Sequence, residues 1–195
     1  MLEVEMKFPV ESFAAVEARL AEWGAGELAR RTEVDHYFNA PDRDFARTDE
    51  AFRLRRIGSA NLATYKGPKV DAQTKTRTEI EVPLAHGDAV ADDFRRLVEH
   101  LGYKPVAVVR KARRLFHLTR GAFPLEVCLD EVEHVGRFVE LEIQAPEERL
   151  AEAREALLQT AAALGLHHSE RRSYLEMLLA HPEDPRHEAG PGKNG

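Results

Sequence analysis

The chain has one cysteine, Cys128, among its 195 residues. A lone thiol closes no internal disulfide, so nothing asks for an oxidising compartment, and Cys128 reads as a small apolar residue. No basic leader precedes an apolar stretch, which argues against a secretory signal. No apolar run approaches the roughly 18 residues of a membrane helix. A cytoplasmic protein without membrane association is therefore expected. A positive excess is missing too: 28 Lys and Arg face 34 Asp and Glu, for a formal net charge of -6. A protein that coats nucleic acid is basic overall, so no nucleic-acid partner is expected. His36, His117 and the pair His167-His168 fit no zinc spacing. No repeat recurs, and no strand leads into the "GPGKNG" of the tail, so a phosphate loop is rejected there.

What is abundant is charge of both signs. Charged residues make up 32% of the chain, above the usual quarter, while 43% hydrophobic residues suffice for a packed core. Residues 1–180 are expected to form one domain. The tail 181–195, rich in Pro, Gly and charge, is expected to be disordered.

Eight stretches read as strands: residues 2–9 (ended by Pro9), "LARRTEVDHYFNAPDRD" (ending in a polar turn with Pro41 and Asp42), "EAFRLRRIG", "NLATYKGPK", "KTRTEIEVPL", "PVAVVRKARRLFHL", "FPLEVCLDEV" and "FVELEIQAP". Arg120-Gly121 is a hairpin turn signal. Helical spacing marks "VESFAAVEARLAEWGA" with its stop at Gly24, and "DAVADDFRRLVEHLGY" with Asp88 as N-cap and Gly102 as stop. "EERLAEAREALLQTAAALGL" and "SYLEMLLA" complete the helices. Most strands alternate, which suits an antiparallel sheet.

Residues i and i+2 of a strand share a face. Glu3, Glu5 and Lys7 lie opposite Val4, Met6 and Phe8. Arg53 and Arg55 lie opposite Phe52 and Leu54. Arg77, Glu79 and Glu81 share a face, as do Lys111 and Arg113. Glu126, Cys128 and Asp130 lie opposite Leu125, Val127 and Leu129. Glu140 and Glu142 lie opposite Val139, Leu141 and Ile143. One such strand is ordinarily a half-exposed sheet face with weak cross-strand ion pairs. Six of them, three with Glu-x-Glu doublets, call for another explanation. The expected fold class is α+β, an eight-stranded antiparallel β-barrel with helices packed outside on the apolar faces and the charges pointing inward. A barrel of this size holds one small ligand.

The charge mixture has a chemical reading. Arg and Lys grip phosphate oxygens. Clustered carboxylates without thiolates are hard ligands for Mg²⁺ or Mn²⁺. Together they make a site for a polyphosphate and its metal, which phosphoryl chemistry requires. Tyr37, two residues beyond Asp35, shares its face. Lys69 and Lys75 flank the loop "PKVDAQTK", which is expected to be solvated, with closure over a bound anion as the alternative. Ser173 and Tyr174 begin a helix placed to cover one barrel end.

"EVEMK" at residues 3–7 resembles the Glu-x-Glu-x-Lys signature of the CYTH superfamily, the triphosphate tunnel metalloenzymes. "VDHYFNAPDRDFARTDEAFRLRR", "TYKGPK", "TRTEIEV", "RKARR", "LDEVEHVGRFVELEI" and "RRSYLEMLL" follow in the family's order. By resemblance, Glu3, Glu5, Glu140 and Glu142 bind metal. Lys7, Arg53, Arg55, Lys66, Lys111 and Arg113 bind phosphate, with Arg77 as an addition. Glu79, Glu81 and Asp130 are further acidic positions, the last two for a second metal or for orienting the nucleophile. Lys7, Glu81 and Asp130 are the catalytic candidates. The resemblance is strongest to the class IV adenylyl cyclase branch, which makes cyclic AMP and pyrophosphate from ATP. Other branches hydrolyse tripolyphosphate or thiamine triphosphate, and a module that binds polyphosphate without turnover is a further alternative. The resemblance also makes a homodimer unsurprising.

Overall fold

The structure, a computed structural model, describes residues 2–69 and 76–180. Lys75 and the tail 181–195 lie outside the described residues. Eight strands form one antiparallel sheet: β1 (Leu2–Val10), β2 (Glu27–Asn39), β3 (Ala51–Ile57), β4 (Ala60–Lys66), β5 (Glu79–Leu84), β6 (Lys104–Arg120), β7 (Phe123–Val132) and β8 (Gly136–Ala145). Their spatial order is β1-β8-β7-β6-β2-β3-β4-β5. The sheet curls until its two edges meet: Glu3, at the start of β1, bridges Arg77, just ahead of β5. The closure expected of a barrel thus rests on one bridge among the described residues rather than a full ladder.

Alternation decides the layers. Val4, Met6 and Phe8 of β1 join Leu125, Val127 and Leu129 of β7 and Val139, Leu141 and Ile143 of β8 in one outer core. Two helices cover it: α1 (Ala14–Glu22) through Val16 and Leu20, and α4 (Leu150–Ala163) through Ala153, Leu157 and Ala161. Each fully buried leucine here contributes about 1.5–3 kcal/mol. On the opposite side, α3 (Asp88–His100) packs Ala91 and Val98 onto Phe38 and Leu54.

The inner face is charged for most of its length but turns apolar at one end. There Tyr37, Val109, Val132 and Phe138 receive Tyr174 and Met177 of α5 (Tyr174–Leu179). A capping box fixes the start of that helix: the Ser173 hydroxyl accepts from the Glu176 amide, and the Glu176 carboxylate accepts from the Ser173 amide.

Several local expectations need correction. Pro9 does not end β1, which runs to Val10. An edge strand tolerates the missing donor. Asp88 is not an N-cap: Gly87 holds that position, and the Asp88 carboxylate pairs with Arg56 instead. The polar stretch after β2 forms a short helix, α2 (Phe45–Thr48), capped by the Asp44 carboxylate. Lys69 is not solvated: its backbone N–H donates to Asp49 at 2.9 Å, and its ammonium pairs with the same carboxylate.

Candidate functional site

The curled sheet encloses a cavity of about 870 Å³, within the range of small-molecule sites. Its walls are the inward faces of the strands, from His117 and Glu126 at one end to Glu50, Leu175 and Leu179 at the other. Every expected metal, phosphate or catalytic residue except Asp130 lines it.

One wall comes from β2, β3 and β6. Register places Asp35 opposite Arg55 and Glu33 opposite Lys111. Arg55 donates from Nε and Nη2 to the two Asp35 oxygens at 2.7 and 2.8 Å, and its Nη2 lies 3.2 Å from Glu33. Arg53 donates to Asp35 at 3.1 Å and to the Tyr37 hydroxyl at 3.3 Å. Lys111 Nζ sits 3.2 Å from Glu33 and 3.4 Å from Asp130. Arg113 grips Asp130 in two-pronged fashion at 2.7 and 2.6 Å and also pairs with Glu140. Burial pushes the Asp35 carboxyl up, but Arg53 and Arg55 outweigh it and hold it well below the usual carboxylate range. Burial acts likewise on Glu33, and Lys111, Arg55 and Arg113 bring it down. These acids are permanent counter-ions.

The other wall comes from β1, β8 and β7. Glu5 stands opposite Glu142, and Glu142 opposite Glu126. Like charges directly across strands repel. Burial pushes Glu142 well above the usual range. Arg113, with Nη1 at 3.6 Å, does not compensate, and Glu3, Glu140 and Glu5 push further. Glu3 is also raised, chiefly by burial, although Lys66 lies 3.0 Å away. Lys66 divides itself between Glu3 and Glu79, the latter at 2.7 Å. This wall is short of positive charge, and its donors are hard carboxylate oxygens. Carboxylate oxygens of this kind suit a divalent cation such as Mg²⁺ or Mn²⁺, and among the described residues the potential ligand atoms that lie within 4.8 Å of one another are those of Glu126, Cys128 and Glu142.

The basic groups keep unused donors. Arg53 Nε and Arg77 Nε are buried with no hydrogen-bond partner among the described residues, and both side chains line the cavity. A buried donor without a partner suits an incoming oxygen. Lys7, fully buried, donates to the Arg172 carbonyl, and its ammonium lies 4.1 Å from the centre of the Tyr174 ring.

Two of the catalytic candidates occupy unlike positions. Glu81 is exposed and accepts from the Thr64 hydroxyl at 3.1 Å. Asp130 is wholly buried behind Arg113 and receives the Tyr174 hydroxyl at 2.9 Å. Cys128 is fully buried on the inner face, with its sulfur close to the Glu126 and Glu142 carboxylates, so it belongs to the charged side rather than the apolar core. Glu33 was not singled out from the sequence. Its signal was there: it shares the inward phase of β2 with Asp35 and Tyr37.

A family model for the CYTH domain matches residues 1–174. A Methanocaldococcus jannaschii protein named "Putative adenylate cyclase MJ0240" is 34% identical over 180 residues, covering 91% of this chain and 98% of that protein. "Adenylate cyclase CyaB" of Aeromonas hydrophila is 29% identical, covering 88% of this chain and 86% of its own. The solved structure of the PH1819 protein from Pyrococcus horikoshii superposes with a TM-score of 0.81 at 36% identity, covering 91% and 98% of the two chains. With the motif order, the curled eight-stranded sheet and these matches in agreement, the chain belongs to the CYTH domain family.

Proposed function

We propose that this chain is a divalent-metal-dependent enzyme acting on a small triphosphate, and that with ATP it acts as an adenylyl cyclase. The observation that carries this reading is the pairing of two walls in one cavity. A carboxylate wall short of cations faces a basic wall with unused donors. The names of the two curated relatives support the choice of ATP.

In this reading Arg53, Arg55, Lys66, Arg77, Lys111 and Arg113 bind the phosphate oxygens. Arg55 spends its Nε and Nη2 on Asp35, which fixes the guanidinium plane and leaves Nη1 for substrate. Lys7 neutralises charge where β1 meets β8. Glu3, Glu5, Glu140 and Glu142 hold the cation, which when bound withdraws charge from phosphate oxygens. Glu79 serves as the partner of Lys66. Asp130 acts through Arg113 and Lys111. Glu81, exposed at the rim, is the acid available for a second cation or for orienting the attacking hydroxyl. The ribose 3′ hydroxyl gives up its proton to the acid that orients it and bonds to the α-phosphorus as the bond to the α–β bridging oxygen breaks and pyrophosphate leaves.

A second reading is hydrolysis of tripolyphosphate or thiamine triphosphate, with water attacking the terminal phosphorus. It draws on one detail of the rim. The Asn39 amide is spent within its own loop, accepting from the Phe45 amide at 2.8 Å and donating to Asp44 at 3.2 Å. The Asn39 oxygen, which also accepts from the Ala40 amide at 3.2 Å, is thus filled and does not receive the amino group of a base. A product assay tests both readings, with ATP, tripolyphosphate and thiamine triphosphate each given Mg²⁺ or Mn²⁺. Cyclic AMP with pyrophosphate is the expected result. Orthophosphate would establish the second reading. Tight binding without turnover would reduce the protein to a polyphosphate-binding module.

A further inference from the structure

The charged cavity contains an aromatic ring that the chemistry above does not use. Tyr174, the first residue of α5, is buried, and its ring faces two lysines from opposite walls. Lys7 of β1 lies 4.1 Å from the ring centre, and Lys111 of β6 lies 5.3 Å from it. Phe138 of β8 packs edge-on against the ring at 5.2 Å. The hydroxyl donates to Asp130 at 2.9 Å, and Asp130 in turn holds Arg113 and Lys111. The backbone just before the helix adds a further tie, because the Arg172 carbonyl accepts from the Lys7 ammonium. One short helix near the C-terminal end of the domain therefore touches a lysine from each wall of the cavity.

Such a ring is suited to this place. Two ammonium groups near one polyphosphate site repel each other, and each long side chain has many rotamers to restrict. An aromatic face attracts each cation without neutralising it, and more strongly once water is excluded. A carboxylate in the same position would hold the lysines but would also repel the phosphate. The ring adds a contact without adding charge to ammonium groups that are already tied, Lys111 to Glu33 and Asp130 and Lys7 to the Arg172 carbonyl.

We propose that Tyr174 is a positioning residue for the triphosphate, holding Lys7 and Lys111 at the α5 end of the cavity through its ring while Asp130 fixes the ring through its hydroxyl. This deepens the proposed triphosphate function and rests on it.

The test compares Tyr174→Phe and Tyr174→Leu with the wild type. Tripolyphosphate binding is measured by calorimetry without metal, and kcat and KM are measured with it. Ring-current shifts of the lysine ε-methylene resonances report the ring–ammonium contacts, with Lys7→Arg assigning one of them. The wild type is expected to bind tripolyphosphate and to show upfield-shifted lysine resonances. Tyr174→Phe keeps the ring and retains the shifts, but loses the tie to Asp130 and binds more weakly than the wild type by less than Tyr174→Leu does. Tyr174→Leu loses the shifts and binds about tenfold more weakly or worse, as expected for the loss of desolvated cation–ring contacts. A folded Tyr174→Leu protein with unchanged tripolyphosphate affinity would overturn the proposal. So would wild-type lysine resonances without ring-current shifts. Failure of the wild type itself to bind tripolyphosphate would instead count against the triphosphate reading.

Discussion

The two walls of the cavity use the same side-chain chemistry to opposite ends. On the β2–β3–β6 side, Glu33 and Asp35 are almost wholly buried, yet both are held below the usual carboxylate range because Arg53, Arg55, Lys111 and Arg113 surround them. On the β1–β8 side, Glu3 and Glu142 are raised, because burial and neighbouring carboxylates outweigh Lys66 and Arg113. Burial penalises all four acids. The local count of cations decides the outcome. One wall balances its acids with cations of the fold, whereas the other leaves Glu3 and Glu142 raised despite Lys66 and Arg113.

The hardest blow to this contrast is Asp35→Ala. It leaves Arg53 and Arg55 buried beside each other without their shared acid, and removing one partner of a buried pair costs about 3–5 kcal/mol. Urea unfolding should show this loss with or without Mg²⁺. A loss that appeared only in the presence of metal would erase the distinction between the walls.

Glu142→Gln should act in reverse. Metal-dependent turnover is expected to fall about 10- to 100-fold, as losses at metal sites commonly do. The metal-free protein should unfold at an equal or higher temperature, because one repelling charge is gone. Paired thermal melts and rate measurements check both halves. A large drop in metal-free stability would mean that Glu142 is a structural counter-ion after all.

Arg55→Lys sharpens the comparison within the balanced wall. Lysine keeps the charge but loses the two-pronged grip on Asp35. KM for the triphosphate should rise about tenfold, with a smaller change in kcat, if the fork orients a phosphate donor.

The smallest effect is on pH. The raised groups Glu3 and Glu142 contribute stability below the ordinary carboxylate value of 4.5 and lose it as pH rises through their higher folded values. Glu33 and Asp35, whose values are lowered, contribute above the ordinary carboxylate range and lose stability only as pH falls towards their folded values. The rise in melting temperature on adding Mg²⁺ or Mn²⁺ should therefore grow from pH 4.5 upward, with protons released on binding. Melts across pH, with calorimetry in buffers of different ionisation enthalpy, measure it. A metal effect independent of pH would show that the raised carboxyls are not the ones that meet the cation.

Much of this was legible in the chain. A period of two placed Glu3, Glu5 and Lys7 on one face and Val4, Met6 and Phe8 on the other, because successive strand residues alternate sides. The same rule put Arg53, Arg55, Lys111, Arg113, Glu140 and Glu142 inward, and the antiparallel sheet followed from the alternation. Strand order and register were not available to it, since they depend on contacts distant in sequence. Only the fold set Glu5, Glu142 and Glu126 side by side on three strands, and only the fold hid Asp130 behind Arg113. Local pattern also missed α2, too short to show a period, and the apolar end of the lumen, where Val132 and Phe138 share the phase of the charged residues. The sequence determined which face each side chain takes, because that is a property of the strand backbone. The tertiary structure decided which acids meet cations and which meet one another, because a charge in a buried lumen is governed by its neighbours in space.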